Sequence, residues 1–347
     1  MSATRKYKIG VIGLHMGAQW ATAAGKNPRA ELAVVYDKDK ETCSSKAEMF
    51  SARPADSEED FFSSDIDVAI VATPDHFHRA NSIAALSRGK HVICEKPLAP
   101  TVRECREIIK AVKKYGKFFM VGQVCRYAPG FKMAKSLIED GAIGEPAFIE
   151  SEYAHDYAHA PGVDNWRKDP KIKREGFIGG GCHALDLVRW LAGDPCEVFC
   201  YTNRKLLKDW PTDDTGVAVL KFRDNLIGKV FVSVGVKRQY TMRTVICGTA
   251  GTIICDNTSP AIRLYKDKYL ECSKTNKFWD IPVNVASHNV AEELNEFIGC
   301  LEKNKQINTD VYEGTNTVAL GEAALKSART GKPVRINYIA TGRGKNV

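Results

Sequence analysis

The sequence predicts an α/β chain in two halves: a parallel sheet wound between helices, then an α+β half on a mostly antiparallel sheet. Three observations carry this. Apolar runs alternate with helical stretches as far as residue 123; from about residue 146 strand-like runs follow one another; and 347 residues are too many for one small core and suit two domains.

In the first half, "YKIGVIG" reads as an apolar strand, followed by a helix from about Gly17 that stops near "GKNP". "ELAVVYD" is the second strand, "KETCSSKAEMF" a helix, and "DIDVAIVATP" a strand ending at Pro74. "HRANSIAALSRG" is a helix with a glycine stop, and "KHVICEKP" a strand. "TVRECREIIKAVKKYG" is an amphipathic helix with Thr101 as N-cap and Gly116 as its end, and "KFFMVGQ" is the last strand. Continuous apolar strands separated by helices imply a buried parallel sheet, hence a Rossmann-type domain over residues 1–124.

The second half, residues 125–347, opens with a helix at "FKMAKSLIEDGAIG". The strands "PAFIESEYAH", "EVFCYTN", "TGVAVLKF", "LIGKVFVSVGV" and "RTVICGTAGTIIC" follow, with "RDN" as a hairpin turn, and helices around "AEELNEFIGCLEK" and "TVALGEAALKSARTG" close the chain. Consecutive strands leave one sheet face to cover, so a homodimer or homotetramer through that face is expected.

Composition narrows the function. Lys and Arg exceed Asp and Glu by 8, but they are scattered without a basic tract, so no nucleic-acid partner is expected. Apolar runs fall short of the ~18 residues of a membrane span, and the N-terminus has no signal-peptide core. Eleven cysteines, none in a C-x-x-C pair and many inside apolar runs, read as buried thiols in a reducing cytoplasm.

Residues 9–17, "IGVIGLHMG", depart from the G-x-G-x-x-G dinucleotide fingerprint: the glycines are Gly10, Gly13 and Gly17, and His15 stands where a middle glycine might. Gly13 and Gly17 nevertheless lie between a strand and a helix, and Asp37 ends the second strand, where an acidic side chain binds the ribose 2′-hydroxyl of NAD and repels the 2′-phosphate of NADP. NAD is therefore the expected cofactor and NADP the lesser alternative, with Leu14, His15 and Met16 bringing amides to the pyrophosphate.

Later segments carry a resemblance. Thr73, Pro74 and His78 in "TPDHFH", Glu95, Lys96 and Pro97 in "EKP", then "WRKDP", "GGGCHALDLVRWLAG" and "SARTGKPVRI" resemble, in that order, the motifs of the Gfo/Idh/MocA family. The resemblance implies an NAD(P)-dependent oxidoreductase acting on sugars, polyols or their relatives, with an open-faced antiparallel sheet in its second domain. It implies Lys96 and His183 as catalytic groups, and Arg126, Trp166 and Arg167 at the substrate or nicotinamide site. Thr73, Pro74, His78, Glu95, Lys96 and Gln123 join the expected cofactor contacts.

Oxidising a secondary alcohol needs a base for the hydroxyl proton, which a histidine suits, and a charge for the developing alkoxide, which a lysine supplies. The family's usual aspartate four residues before the histidine is Gly179 here. Asp186, three residues after His183 and one helical turn on, is the candidate partner for the histidine or for a substrate hydroxyl. "EYAHDYAHAPGVDNW" adds His155, Asp156, Tyr157 and His159; with Pro161 and Gly162 nearby, sugar-facing loop residues are expected rather than a metal site. Three functions fit: an NAD-dependent dehydrogenase or reductase of a sugar, polyol or glycoside; a redox-neutral glycoside-processing enzyme holding NAD tightly; and a non-catalytic NAD-binding regulator.

Overall fold

A strand that is apolar throughout must be covered on both faces, and in the first half the strands at Val68–Val71 and Phe119–Val121 are. In the computed structural model, which describes residues 5–266, 278–286 and 288–340, β1 (Tyr7–Ile12), β2 (Ala30–Tyr36), β3 (Arg53–Pro54), β4 (Val68–Val71), β5 (His91–Cys94) and β6 (Phe119–Val121) pair in parallel in the order β3-β2-β1-β4-β5-β6. They are linked by α1 (Gly17–Lys26), α2 (Lys40–Phe50), α3 (Glu58–Ser63), α4 (His78–Ser87) and α5 (Val102–Tyr115). Helix ends follow local chemistry. The Thr101 hydroxyl accepts the Glu104 N–H and caps α5, and Gly116 ends it at φ 61°. The strand order reverses between β1 and β4, the crevice where open α/β sheets bind ligands beyond their carboxyl ends. Gly13, Asp37, Thr73, Lys96 and Gln123 each fall one or two residues past such an end.

The second half contains α6 (Pro129–Glu139), α7 (Gly176–Gly179), α8 (Cys182–Ala192) and nine described strands: β7 (Pro146–Ala154), β8 (Glu197–Asn203), β9 (Thr215–Lys221), β10 (Ile227–Ser233), β11 (Thr241–Gly248), β12 (Gly251–Asp256), β13 (Ile262–Lys266), β14 (Trp279–Ile281) and β15 (Val334–Arg335). Their order is β14-β13-β12-β11-β7-β10-β9-β8-β15. Only β7 and β10 run parallel, and the other neighbours are antiparallel. Asn225, at φ 63°, makes the "RDN" turn between β9 and β10. Along β7, Ile149, Ser151 and Tyr153 are buried under α8, while Glu150 pairs with Lys229 and Arg243 on the other face. That other face also carries Tyr201, Val217, Val219 and Ile227, of which Tyr201 is 70% and Val219 54% exposed.

The chain separates into two compact units. One takes the described residues through Gln123 together with Val290–Asn316 and those from Ile339; the other takes Val124–Asn289 and Thr317–Tyr338. The sequence reading placed everything after residue 124 in the second domain, whereas α9 (Val290–Lys303) and the start of α10 (Val311–Thr330) belong with the first unit. Polar contacts explain it. Asn27 Nδ2 donates to Asn295 Oδ1 at 2.7 Å, Arg29 pairs with Glu302 at 2.8 Å, and the Val121 N–H donates to the Thr309 carbonyl at 2.7 Å.

Candidate active site

The β1–α1 turn is tighter than the usual dinucleotide loop. Gly13 sits at φ 86°, and a Cβ there would stand 2.7 Å from the backbone of Ala72 and Thr73, so no other residue fits. Leu14 turns inward while His15 and Met16 are exposed, and no side chain caps the first turn of α1. Asp37, buried at the end of β2, accepts the Leu14 N–H at 2.8 Å and thereby holds the loop against the strand. Gln123 is 1% exposed, and its side-chain oxygen has no partner among the described residues. A glycine loop with uncapped helix amides, a carboxylate at the end of β2 and an orphaned amide oxygen at the end of β6 fit a dinucleotide's pyrophosphate, ribose and carboxamide in turn.

Two expected cofactor contacts have other work. His78 is 1% exposed, and both ring nitrogens lie 2.8 Å from carbonyl oxygens, of Pro97 and of Thr73. Carbonyls only accept, so both nitrogens carry hydrogen and the ring is an imidazolium. Burial pulls its pKa down, but the Cys94 side chain, Asp75 and the Pro97 carbonyl push it up to about 9. Glu95 accepts the Trp20 indole N–H at 2.8 Å through one oxygen and the Lys96 N–H at 3.1 Å through the other. His78 and Glu95 thus position the turn that presents Lys96, which is half-buried.

In the second unit His183 opens α8 and is 2% exposed. Its ring stacks on Tyr153 at 5.9 Å, meets His288 edge-on at 5.1 Å, and places Nδ1 3.5 Å from Cys125 Sγ. Asp186 is not seen to orient it. One turn on, the carboxylate receives Arg126 through two hydrogen bonds of 2.7 and 2.6 Å and the Thr317 hydroxyl at 3.0 Å. Helical spacing brought the two residues to adjacent turns, but the buried Arg126 guanidinium takes the carboxylate, and Arg189 reaches the same Thr317 hydroxyl at 3.0 Å. The expected roles of Asp186 as a catalytic or substrate group and of Arg126 as a substrate contact give way to a buried ion pair.

Tyr153, His155 and Tyr157 alternate along β7 and just beyond it, on one side of the chain. The Tyr157 and Tyr153 hydroxyls are 2.6 Å apart, His155 Nδ1 is 3.4 Å from the Tyr153 hydroxyl, and Tyr240 packs against both Tyr153 and His155. Burial, with Tyr157 and Tyr240 beside it, raises the Tyr153 pKa well above the phenol range while Arg174 opposes this, so its hydroxyl stays protonated and can donate. Asp156 instead turns to Lys237 at 2.9 Å, and His159 is exposed. No cluster of metal-binding side chains occurs among the described residues. Arg167 stacks 5.1 Å from both Tyr157 and Trp166. Sequence reasoning missed Tyr153, Tyr240, His288, Cys125 and Arg174; the i, i+2 rhythm of Tyr153, His155 and Tyr157 was the available signal for the first.

Comparison with known proteins assigns the family. Residues 7–123 match a family model described as an oxidoreductase family with an NAD-binding Rossmann fold, and residues 131–254 match the GFO/IDH/MocA C-terminal domain. The chain belongs to the Gfo/Idh/MocA family. Its first unit carries that family's NAD-binding domain. Among relatives, an uncharacterized oxidoreductase of Streptococcus pneumoniae is 35% identical over 56% of this chain and 53% of its own length. A levoglucosan dehydrogenase of Pseudarthrobacter phenanthrenivorans is 39% identical over 38% and 34%. The matches thus span about half or less of these two relatives. An inositol 2-dehydrogenase of Acidothermus cellulolyticus is 26% identical over 95% of each chain. Among solved structures, levoglucosan dehydrogenase in complex with NADH superposes with a TM-score of 0.87 over 96% of this chain and 100% of that one, at 23% identity. This likeness supports the fold.

Proposed function

We propose that this family member is an NAD-dependent dehydrogenase or reductase that moves a hydride between nicotinamide and a secondary alcohol or ketone of a sugar, polyol or glycoside. The observation that carries the reading is the row of Gly13, Asp37, Lys96 and Gln123 past the carboxyl ends of strands flanking the topological switch. The amides of the Gly13–Gly17 turn would hold the pyrophosphate, Asp37 the adenosine ribose and Gln123 the carboxamide. Nicotinamide supplies the carbon that accepts or gives the hydride when bound. The Lys96 ammonium holds the substrate oxygen and stabilises its developing negative charge. His183 takes or returns the hydroxyl proton. Tyr153, kept protonated by burial, donates to a hydroxyl or carbonyl and fixes the plane of the imidazole. The relatives named for levoglucosan and inositol support a polyhydroxylated substrate.

The test is a panel of sugars, polyols and glycosides with NAD or NADP, followed at the absorbance of the reduced nicotinamide. Reduction of NAD with at least one secondary alcohol is expected. No turnover in either direction with any of them, together with no NADH binding, would refute the reading.

The proposal extends to assembly and place. Tyr201, Val217, Val219 and Ile227 make an apolar stripe on the outer sheet face, which suits a homodimer or homotetramer. A monomer by light scattering at micromolar concentration would exclude that. None of the ten described cysteines is in a disulfide, and no described helix is long and apolar enough to cross a membrane, in keeping with a cytoplasmic enzyme.

A further inference from the structure

The imidazole of His183 has a sulfur at one of its nitrogens. Cys125 Sγ lies 3.5 Å from Nδ1, within reach of a hydrogen bond, and both side chains are buried. The contact joins the start of α8 to the 3₁₀ turn Val124–Tyr127, and its neighbours explain why the two meet. Arg126, the next residue of that turn, is bound twice by Asp186, one helical turn beyond His183. The ion pair clamps the turn onto α8 and so sets Cys125 against the ring. Asn289 Nδ2 donates to the Tyr127 carbonyl at 3.3 Å, and the Gly130 N–H to the Asn284 carbonyl at 3.0 Å, which ties the segment carrying His288 to the same turn. The two positions from which a carboxylate was expected beside the imidazole do not supply one. Asp186 is taken by Arg126 and Thr317. At Gly179 a Cβ would lie 2.2 Å from Arg174 Cζ, so a guanidinium stands where an aspartate side chain would begin. Around the ring stand also Tyr153, stacked on it, and His288, edge-on to it.

We propose that Cys125 is a positioning residue for His183: its sulfur receives the Nδ1 hydrogen, so that the substrate proton is exchanged at Nε2. The assignment rests on the reading of His183 as the proton-transferring group of a sugar oxidoreductase. A base needs a bare nitrogen, and in a neutral imidazole one nitrogen is bare while the other carries the hydrogen. Which one carries it is set by the hydrogen bond made on the far side of the ring. Sulfur is a weak acceptor, but burial makes even a weak partner decisive, because a buried N–H that loses its acceptor costs the full desolvation of the group. Sulfur also brings no charge in its thiol form. A carboxylate at Nδ1 would favour the imidazolium and hold the proton on the ring. A thiol fixes the tautomer and leaves the ring able to give the proton back, which suits hydride transfer in either direction.

The experiment is nitrogen NMR of the histidine side chains in the NADH-saturated protein, at a pH where His183 is neutral. The chain has 8 histidines, and the signal lost in His183→Gln identifies the ring in question. Free histidine favours the Nε2–H tautomer. The parent protein should show the reverse, with the hydrogen on Nδ1, and Cys125→Ala should swing His183 back towards Nε2–H. Turnover of the best panel substrate should fall roughly 10-fold in Cys125→Ala, the scale of one lost neutral hydrogen bond, with KM nearly unchanged. Cys125→Ser, which keeps an acceptor on a shorter arm, should lie between the two in tautomer and in rate. A parent ring with its hydrogen on Nε2 overturns the proposal, because the thiol would then be the donor. So does a tautomer that Cys125→Ala leaves in place, or one that His288→Ala releases and Cys125→Ala does not. Sugar oxidation by a protein whose His183 tautomer ignores Cys125 sinks this inference and leaves the dehydrogenase reading standing. A tautomer held by Cys125, with no sugar or polyol reducing NAD, does the opposite.

Discussion

The edge of the parallel sheet and the surface around β7 carry the two parts of the proposed chemistry, and they are built in different ways. At the sheet edge the contacts are short polar bonds to backbone: Asp37 to the Leu14 N–H, Glu95 to the Lys96 N–H, His78 to two carbonyls. Side chains there shape turns, and the turns present amides and one lysine. Around β7 the contacts are ring on ring and guanidinium on ring, from Tyr153, His155, Tyr157, Trp166 and Tyr240. In the proposed reading a backbone cradle receives the cofactor, whereas aromatic faces and charges meet the polyhydroxylated substrate. Specificity should therefore move with the second region and cofactor use with the first.

The strongest way to break that division is at the two groups proposed as catalytic. Lys96→Ala and His183→Ala should each lower turnover roughly 10²–10⁴-fold while leaving NADH affinity within a few-fold of the parent, because the cradle contacts lie in other residues. Steady-state rates on the best panel substrate, with NADH binding as the control, decide it. Near-parental turnover of His183→Ala would remove the proton-transfer role.

Asp186 separates folding from chemistry within α8. Its carboxylate is 1% exposed and answers both Arg126 and Thr317. Asp186→Asn leaves a guanidinium buried beside a neutral amide, a loss of about 3–5 kcal/mol for breaking a buried pair from one side. The melting temperature should fall by many degrees, and turnover per folded molecule should fall far less than in His183→Ala. The opposite ranking would return Asp186 to the catalytic machinery.

That reversal shows what the sequence could carry. The alternation of strands and helices, the Thr101 cap and the Gly116 stop were legible because they depend on neighbours in the chain. So were the places of Gly13 and Asp37 just past the ends of β1 and β2, because both are set within one β-α-β unit. Asp186 was misread because helical spacing states which residues are close and not which partner a buried carboxylate finds; Arg126 comes from 60 residues away. Arg174 was missed for a related reason. A missing aspartate is visible in a sequence, but the group that enters the vacated volume is visible only in three dimensions. The return of α9 to the first unit depended likewise on Asn27 and Arg29, more than 260 residues distant.

Cofactor choice tests the first region with a smaller effect. With Asp37 at the end of β2, NAD should bind at least ~10-fold more tightly than NADP, about 1.4 kcal/mol. Because Asp37 also accepts the Leu14 N–H, Asp37→Ser should weaken NAD and narrow the preference together. NADP binding tenfold tighter than NAD would end this role for the carboxylate.

The smallest expected effect sharpens how the cradle is held. His78 bridges the Thr73 and Pro97 carbonyls as an imidazolium, with its pKa raised to about 9 from an ordinary value near 6.5. A group whose pKa is higher in the folded state stabilises fully below its unfolded value and loses that contribution as pH climbs through the folded value. The window is therefore about pH 6.5 to 9, with stability falling by at most ~1.4 kcal/mol per pH unit, the limiting slope for one proton. In His78→Gln, which has no titratable ring, this slope should vanish. The measurement is the difference in melting temperature between parent and variant across that window: it should be widest near pH 6 and shrink steadily toward pH 9. The bridged turns present Thr73 and Lys96, so NADH affinity in the parent should decline over the same range, and in His78→Gln it should start low and stay flat. A gap in melting temperature that does not change with pH would mean that the ring is neutral and that one of the two carbonyls lacks its hydrogen bond.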